Sequence, residues 1–309
     1  MVEWFARGGV TEVILAVNHL SDKLRIEVAR KKLAAKIVLS VEETPLGTGG
    51  PISLARAMLC KDEPLIVANG DVISDIDLRG LIAEHARSGA EATVALVSVE
   101  DPRPFGLATL DSNDRISRFV EKSGTNHRRG WINAGVYALN PSIVAMIPQA
   151  RAMSLEREIF PILASQMKMN GWKHTGFWHD IGKIPDYIIA NRELLKRAEY
   201  SDRREGKAEM VEITEPSFVG RDCILETGAK LGPFSILSDR VSMKKGATVR
   251  EAIVFEQTTL GEDCIVEDSI VGEGVTVGKD AKIGKGSVIA GQVSIPDGAV
   301  VKPGSTILN

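Results

Sequence analysis

From Val219 onward an aliphatic side chain returns every sixth residue, at Val219, Leu225, Leu231, Leu237, Met243, Val249 and, less regularly, Phe255. Four residues after each comes a second, mostly small set: Cys223, Ala229, Ser235, Val241, Ala247, Ile253 and Thr259. The phase slips at Leu260 and again at Val271, then resumes through Val277, Ile283, Ile289, Ile295, Val301 and Ile307. An α-helix repeats every 3.6 residues and a half-buried strand every two, so a period of six suits neither. It fits a solenoid in which each hexad forms one short side of a triangular coil. Gly220, Gly232, Gly272, Gly278 and Gly284 suit its tight corners.

The first half of the chain follows a different pattern. The apolar runs TEVILAV (11–17), KIVLSV (36–41), PLIVANGD (64–71) and ATVALVSV (92–99) alternate with helical stretches at 21–35, from about Pro51, and at 77–89. Such alternation predicts βαβ units and a mostly parallel, Rossmann-like sheet buried on both faces. Ser21-Asp22 and Asp75-Ile76-Asp77 offer N-cap chemistry. Strands are predicted at RISRFVEK (115–122) and WINAGVYAL (131–139), and helices at SLEREIFPILASQ (154–166) and IPDYIIANRELLKRA (184–198), where Pro185 suits a first turn. The resulting division is an α/β domain over 1–199, a charged linker over 200–216 and the solenoid over 217–309.

With 38 Lys+Arg against 41 Asp+Glu, the chain carries no broad positive field for nucleic acid or an anionic membrane surface, and small-molecule chemistry is expected instead. Cys60, Cys223 and Cys264 are too scattered for a disulfide framework or a zinc ribbon, which with the lack of a long apolar run or leader predicts a cytoplasmic protein. Cys223 and Cys264 fall in the small inward set of the repeat and are expected in its core.

Several groups have the types that bind phosphates, metals and sugars. Gly47-Thr48-Gly49-Gly50 joins a predicted strand to a helix, where glycines let a backbone approach a base or phosphate. Asn69-Gly70-Asp71 ends the next strand, and Asp180 lies in FWHDIGK (177–183); two carboxylates at strand ends suit a hard cation such as Mg²⁺. Glu121-Lys122 and Asn133 supply a carboxylate, an ammonium and an amide for sugar hydroxyls and one phosphate. Taken singly each has a plain alternative: a tight turn for the glycines, an Asx turn for Asp71, surface polarity for Glu121, Lys122 and Asn133. GKGS (284–287) lacks the upstream spacing of a phosphate loop and is read as a corner turn.

Taken in order, ETPLGTGG, NGD, Phe105-Gly106, VEK, NAGVY and FWHDIG followed by hexapeptide repeats resemble the NDP-sugar pyrophosphorylases, the sugar-1-phosphate nucleotidyltransferases, over nearly the whole chain. The solenoid resembles the left-handed parallel β-helix of hexapeptide-repeat proteins. The likeness implies transfer of a nucleotidyl group from an NTP to a sugar 1-phosphate, with GTP and mannose 1-phosphate the pair suggested by overall similarity. It implies Mg²⁺ held by Asp71 and Asp180, nucleotide near Gly47, Thr48, Gly49, Gly50, Asn69 and Gly70, sugar contacts from Gly106, Glu121 and Asn133, and Lys122 paired with the sugar phosphate. Asp71, Lys122 and Asp180 would be the catalytic groups, and the β-helix would mediate homo-oligomerisation.

The chain departs from the family at its start. Members normally open with a strand running into GxGTRL and a Pro-Lys-Pro segment, and neither is present. The expectation is a start placed too far downstream, or a partner chain supplying that piece. Alternatively, a degenerate or regulatory relative would bind sugar nucleotides without turnover. On that basis the 309-residue chain alone is expected to show little transferase activity, with the edges beside the absent strand left open. Ser123 also replaces a usual Pro. A hexapeptide acyltransferase is the rival from another reaction class, but His19, His85, His127, His174 and His179 all precede the repeats, leaving them no His base.

Overall fold

A computed structural model describes residues 1–60, 62–121, 129–149, 151–197 and 210–308. The chain divides into two compact units, Met1–Gly182 and Lys183–Asn309.

The first unit opens with α1 (Val2–Arg7), β1 (Glu12–Val17), α2 (Ser21–Arg30) and β2 (Lys36–Val41). β1 and β2 form a parallel two-stranded sheet, as their apolar composition with an intervening helix predicts. Ser21 does not cap α2. That place is taken by Leu20 in a left-handed conformation with no side-chain hydrogen bond, and Ser21 begins the helix itself. Then come α3 (Gly50–Leu54), β3 (Leu65–Ala68), β4 (Val72–Ser74), α4 (Leu78–Ser88) and β5 (Ala92–Val99). α4 has the cap foreseen for it: Asp77 accepts from the Arg79 amide, and Gly89 closes the far end at φ 60°.

β6 (Gly106–Leu110), β7 (Ile116–Glu121), β8 (Gly130–Leu139), α5 (Pro141–Met146), α6 (Phe160–Ser165), β9 (Met169–His174) and β10 (Trp178–Asp180) complete the unit. The main sheet runs β7-β6-β8-β5-β9, with β3 on β8, and β10 forms a separate antiparallel pair with β4. Only β5–β9 is parallel within the main sheet; β8 runs antiparallel to β3, β5 and β6. β1 and β3 each have one ladder partner among the described residues, β2 and β8 respectively. Their side chains nevertheless meet in one core, where Val13 and Leu15 join Ile66, Ala68, Val136 and Ala138. The sheet's other face carries Leu96, Ile116, Tyr137 and Leu139, which share a core with Phe160 and Leu163 of α6.

The segment read as one helix over 154–166 is two pieces. Leu155–Ile159 winds as a π-helix, and the α-helix proper starts at Phe160 with Pro161 in its first turn. Proline has no N–H to give the preceding turn, so the hydrogen-bond register changes there.

The second unit is a parallel β-helix of three sheets, two of six strands and one of five. α7 (Ile184–Leu195) lies in this compact unit, and its Arg192 bonds Glu251 and Asp268 at solenoid corners, 2.8 and 2.7 Å away. The coil length explains the slips of phase. Val219 stacks on Leu237 and Leu225 on Met243, eighteen residues apart, as three hexads require. Leu237 then stacks on Val254 and Val249 on Val266, seventeen apart, before Val271 on Ile289 restores the full length. One residue is missing from the corner between Val249 and Val254, another from that between Val266 and Val271. The inward residue is therefore Val254, fully buried, with Phe255 half-exposed, and Ala252 and Thr258 fill the small positions assigned to Ile253 and Thr259. Most of the linker foreseen at 200–216, residues 200–209, lies outside the described residues.

Cys264 is buried in the solenoid, which pushes its thiol up to about 12, while Cys223 is half-buried with Sγ against the Ser238 carbonyl and Cys60 is exposed. Because the thiolate is the nucleophile, Cys60 is expected to react with Ellman's reagent within minutes in native protein and Cys264 only after unfolding. Equal reaction of both in native protein would contradict the buried placement.

Candidate functional site

The predicted residues gather around an irregularity in β8. Val94 of β5 pairs with Tyr137 and Leu96 with Asn133, so Ala134, Gly135 and Val136 stand opposite the single residue Ala95. The irregularity is on the β5 side, while toward β3 the register continues unbroken past Ala68–Val136. The Ala134 carbonyl accepts from Trp178 Nε1 at 2.8 Å, the Gly135 carbonyl from the Asn69 amide at 2.8 Å, and the Gly135 amide donates to Asn133 Oδ1 at 2.8 Å. Gly135 is required here. Its φ is +71°, and a β-carbon would stand 2.9 Å from Asn69 Nδ2.

This stretch of β8 thus holds Asn69, two residues before Asp71, through the continued β3 ladder, and Trp178, two residues before Asp180, through the Ala134 carbonyl. β4 and β10 pair antiparallel directly beyond, with Asp180 opposite Val72 and the Ile181 amide donating to the Asp71 carbonyl at 2.7 Å. The two carboxylates converge over Gly182: a β-carbon on that glycine would lie 3.1 Å from Asp180 Oδ1 and 3.2 Å from Asp71 Oδ2. Glycine leaves open the space between two oxygen donors that are partly accessible to solvent. Among the described residues no cluster of three or more His, Cys, Asp or Glu forms a metal cage. The donor set therefore fits a hard cation that takes two protein carboxylates and fills its remaining positions with water or substrate oxygens.

On the other side of the bulge, Asn133 Nδ2 donates to the Tyr137 hydroxyl at 2.7 Å, and Tyr137 donates to Glu156 Oε1 at 2.9 Å. Glu156 Oε2 accepts from Thr48 Oγ1 at 2.5 Å and from Ser154 Oγ at 2.8 Å. Burial, and then the Glu156 charge, hold the Tyr137 phenol well above its ordinary range, so it remains a donor. The Gly47–Gly50 turn is fixed to the same segment, with the Gly49 amide on the Met153 carbonyl at 2.9 Å and the Leu155 amide on Thr48 Oγ1 at 2.9 Å. Gly47, at φ +73°, and Gly50 have a packing reason to be glycine, since β-carbons there would meet Met153 O at 2.5 Å and Leu46 Cβ at 2.4 Å. Gly70 has none: a β-carbon would meet nothing within 4 Å, and the residue is exposed.

Gly106 and Glu121 face each other across β6–β7, where a β-carbon on Gly106 would come within 2.6 Å of Glu121 Oε2. Phe105 packs edge-on against Trp178, joining this pair to the strand that carries Asp180. Asp71, Asp180, Asn69, Gly70, Asn133, Gly106 and Glu121 are thus linked through the bulge, and the Gly47–Gly50 turn joins them through Thr48. Lys122 lies outside the described residues. Sequence reasoning missed Glu156, Ser154 and Tyr137. A glutamate in SLEREIF reads as the polar face of a helix, and only Pro161 hinted that the register would change.

Substituting Gly135 by Ala is expected to destabilise the first unit by about 3 kcal/mol, combining left-handed strain with the clash on Asn69. Gly89→Ala, with φ 60° but open space, is expected to cost about 1 kcal/mol. Urea unfolding of both variants checks the difference, and equal losses would count against the close Asn69 approach.

Comparison with known proteins adds an independent line. The Nucleotidyl transferase family model matches residues 1–197 and the GMPPB C-terminal domain model matches 213–309. The mannose-1-phosphate guanyltransferase of Pichia angusta is 31% identical over 99% of this chain and 85% of its own length. The probable mannose-1-phosphate guanylyltransferase 3 of Arabidopsis thaliana is 34% identical over 99% of this chain and 93% of its own. Among solved structures, HddC from Yersinia pseudotuberculosis superposes with a TM-score of 0.54 at 25% identity, covering 62% of this chain and 82% of its own, and has also been solved in complex with GMP-PN.

Proposed function

This chain belongs to the nucleotidyl transferase family, and on that premise we propose that it joins GTP and mannose 1-phosphate into GDP-mannose with release of pyrophosphate. The observation that carries the reading is the convergence of Asp71 and Asp180 over Gly182, beside the bulge that holds Asn133.

A phosphate oxygen of mannose 1-phosphate attacks the α-phosphorus of GTP, and pyrophosphate departs in line. No side chain needs to become covalently attached, so the protein's work is alignment and charge compensation. Asp71 and Asp180 would hold Mg²⁺, which when bound neutralises charge on the phosphates. Asn133 has one amide hydrogen committed to Tyr137 and its Oδ1 to the Gly135 amide, so its orientation is fixed and a second N–H is left for a sugar hydroxyl. Glu121, facing Gly106, supplies acceptors to the same sugar. The Gly47–Gly50 turn and the open backbone at Gly70 receive the nucleotide. Lys122 would neutralise the sugar phosphate, and the β-helix would serve self-association, checked by sedimentation of the intact protein.

Two paired measurements test the reading. Purified chain with Mg²⁺, GTP and mannose 1-phosphate is expected to release pyrophosphate only when both substrates are present, and slowly, in keeping with the low activity expected of this chain by itself. Asp71→Asn and Asp180→Asn are each expected to lower that rate by about 100-fold or more with the melting temperature nearly unchanged. Binding of both substrates without pyrophosphate release would overturn transfer. Asparagine variants as active as the parent would remove the carboxylate pair from the mechanism.

A further inference from the structure

Glu156 is a buried carboxylate that the transfer chemistry does not use. Only 6% of it is exposed, on a π-helical turn that directs it inward beside Leu155 and Ile159. A buried carboxylate needs hydrogen-bond donors. Here three hydroxyls supply them, and those hydroxyls come from separate parts of the site: Thr48 from the glycine turn, Tyr137 from β8 and Ser154 from the turn's own entrance.

The direction of each bond is fixed. Asn133 Oδ1 accepts from the Gly135 amide, so its NH₂ faces Tyr137; Tyr137 accepts there and donates to Glu156; Thr48 accepts from the Leu155 amide and donates to Glu156. A shift of the turn on one side moves the acceptor of the tyrosine on the other. Two discrete groups in the substrate-facing layer are therefore connected through one anion rather than through a deformable apolar contact.

We propose that Glu156 is a positioning residue that, through Tyr137, couples the Gly47–Gly50 turn to Asn133, so that the nucleotide and the sugar phosphate bind interdependently. This rests on the reading of the turn as the nucleotide side and Asn133 as the sugar side. Glu156 touches neither substrate. Its effect is on whether one substrate's binding prepares the place of the other.

The test uses the full chain with Mg²⁺ and a GTP analogue carrying a methylene bridge between the α- and β-phosphates, which cannot turn over. Calorimetry gives the analogue's Kd with and without saturating mannose 1-phosphate. The parent is expected to bind about tenfold more tightly with the sugar phosphate present, a usual size for coupling between sites. Tyr137→Phe and Glu156→Ala are expected to reduce that ratio below about twofold while both ligands still bind. Glu156→Gln, whose amide oxygen still accepts from Tyr137 and whose NH₂ donates to the two hydroxyls, is expected to restore it. Val144→Ala loosens the same core without touching the network and is expected to keep the parental ratio at a lowered melting temperature.

Parental coupling in both Tyr137→Phe and Glu156→Ala would overturn the positioning role and leave the functional reading standing. So would a parent that binds both ligands independently, or a Val144→Ala variant that loses the coupling as fully as Glu156→Ala. A parent that binds neither ligand would overturn the functional reading and this inference together.

Discussion

The bulge at Ala134–Val136 is the joint on which the α/β unit's chemistry depends. A regular β8 would spend every backbone group on β3 and β5. The bulge is on the β5 side: toward β3 the pairing runs on regularly, with the Asn69 amide on the Gly135 carbonyl, while the Ala134 carbonyl opposite the β5 irregularity is taken by Trp178. Two residues far apart in the chain are in this way brought to a common point over Gly182. The same distortion turns Asn133 back onto its own strand and aims its amide at Tyr137. The left-handed φ at Gly135 lets its amide turn back onto Asn133 Oδ1, so a residue with no side chain sets the orientation of one that has one.

Much of this was legible in the sequence, and the physical reason differs from part to part. The β-helix announced itself because its core repeats with a period no other structure shares. The strands of the α/β unit were visible as apolar runs, since burial on both faces leaves no alternation to confuse them. Their pairing was not: β8 runs antiparallel through the middle of a sheet expected to be mostly parallel, because direction depends on connections rather than composition. The carboxylates could be named from strand ends, but their meeting rests on the antiparallel pairing of β4 with β10, which sequence does not show, and the irregularity beside them was hidden because WINAGVYAL reads as an uninterrupted strand. Glu156 was hidden because a lone charged residue in a helical pattern is ordinarily solvated.

The structure also separates the glycines of the GTGG turn from Gly70 of the Asn69-Gly70-Asp71 segment by purpose. Gly47 and Gly50 are glycines because the Met153 carbonyl and the Leu46 side chain occupy the places of their β-carbons. The turn is thus stapled to the 151–156 segment, and its shape is set by packing within the chain. Gly70, whose missing side chain would meet nothing, is the position where open backbone faces outward. Composition alone does not reveal which of these glycines is held by packing and which leaves open backbone.

A perfectly regular solenoid has screw symmetry: every coil offers the same flank, and a helix laid along it has no reason to stop at one level rather than the next. The two missing residues break that equivalence. They shorten the corners that bear Glu251 and Asp268, both left-handed and one above the other, and Arg192 grips these two. What looks in the sequence like decay of the repeat is the mark that tells α7 where along the column to sit.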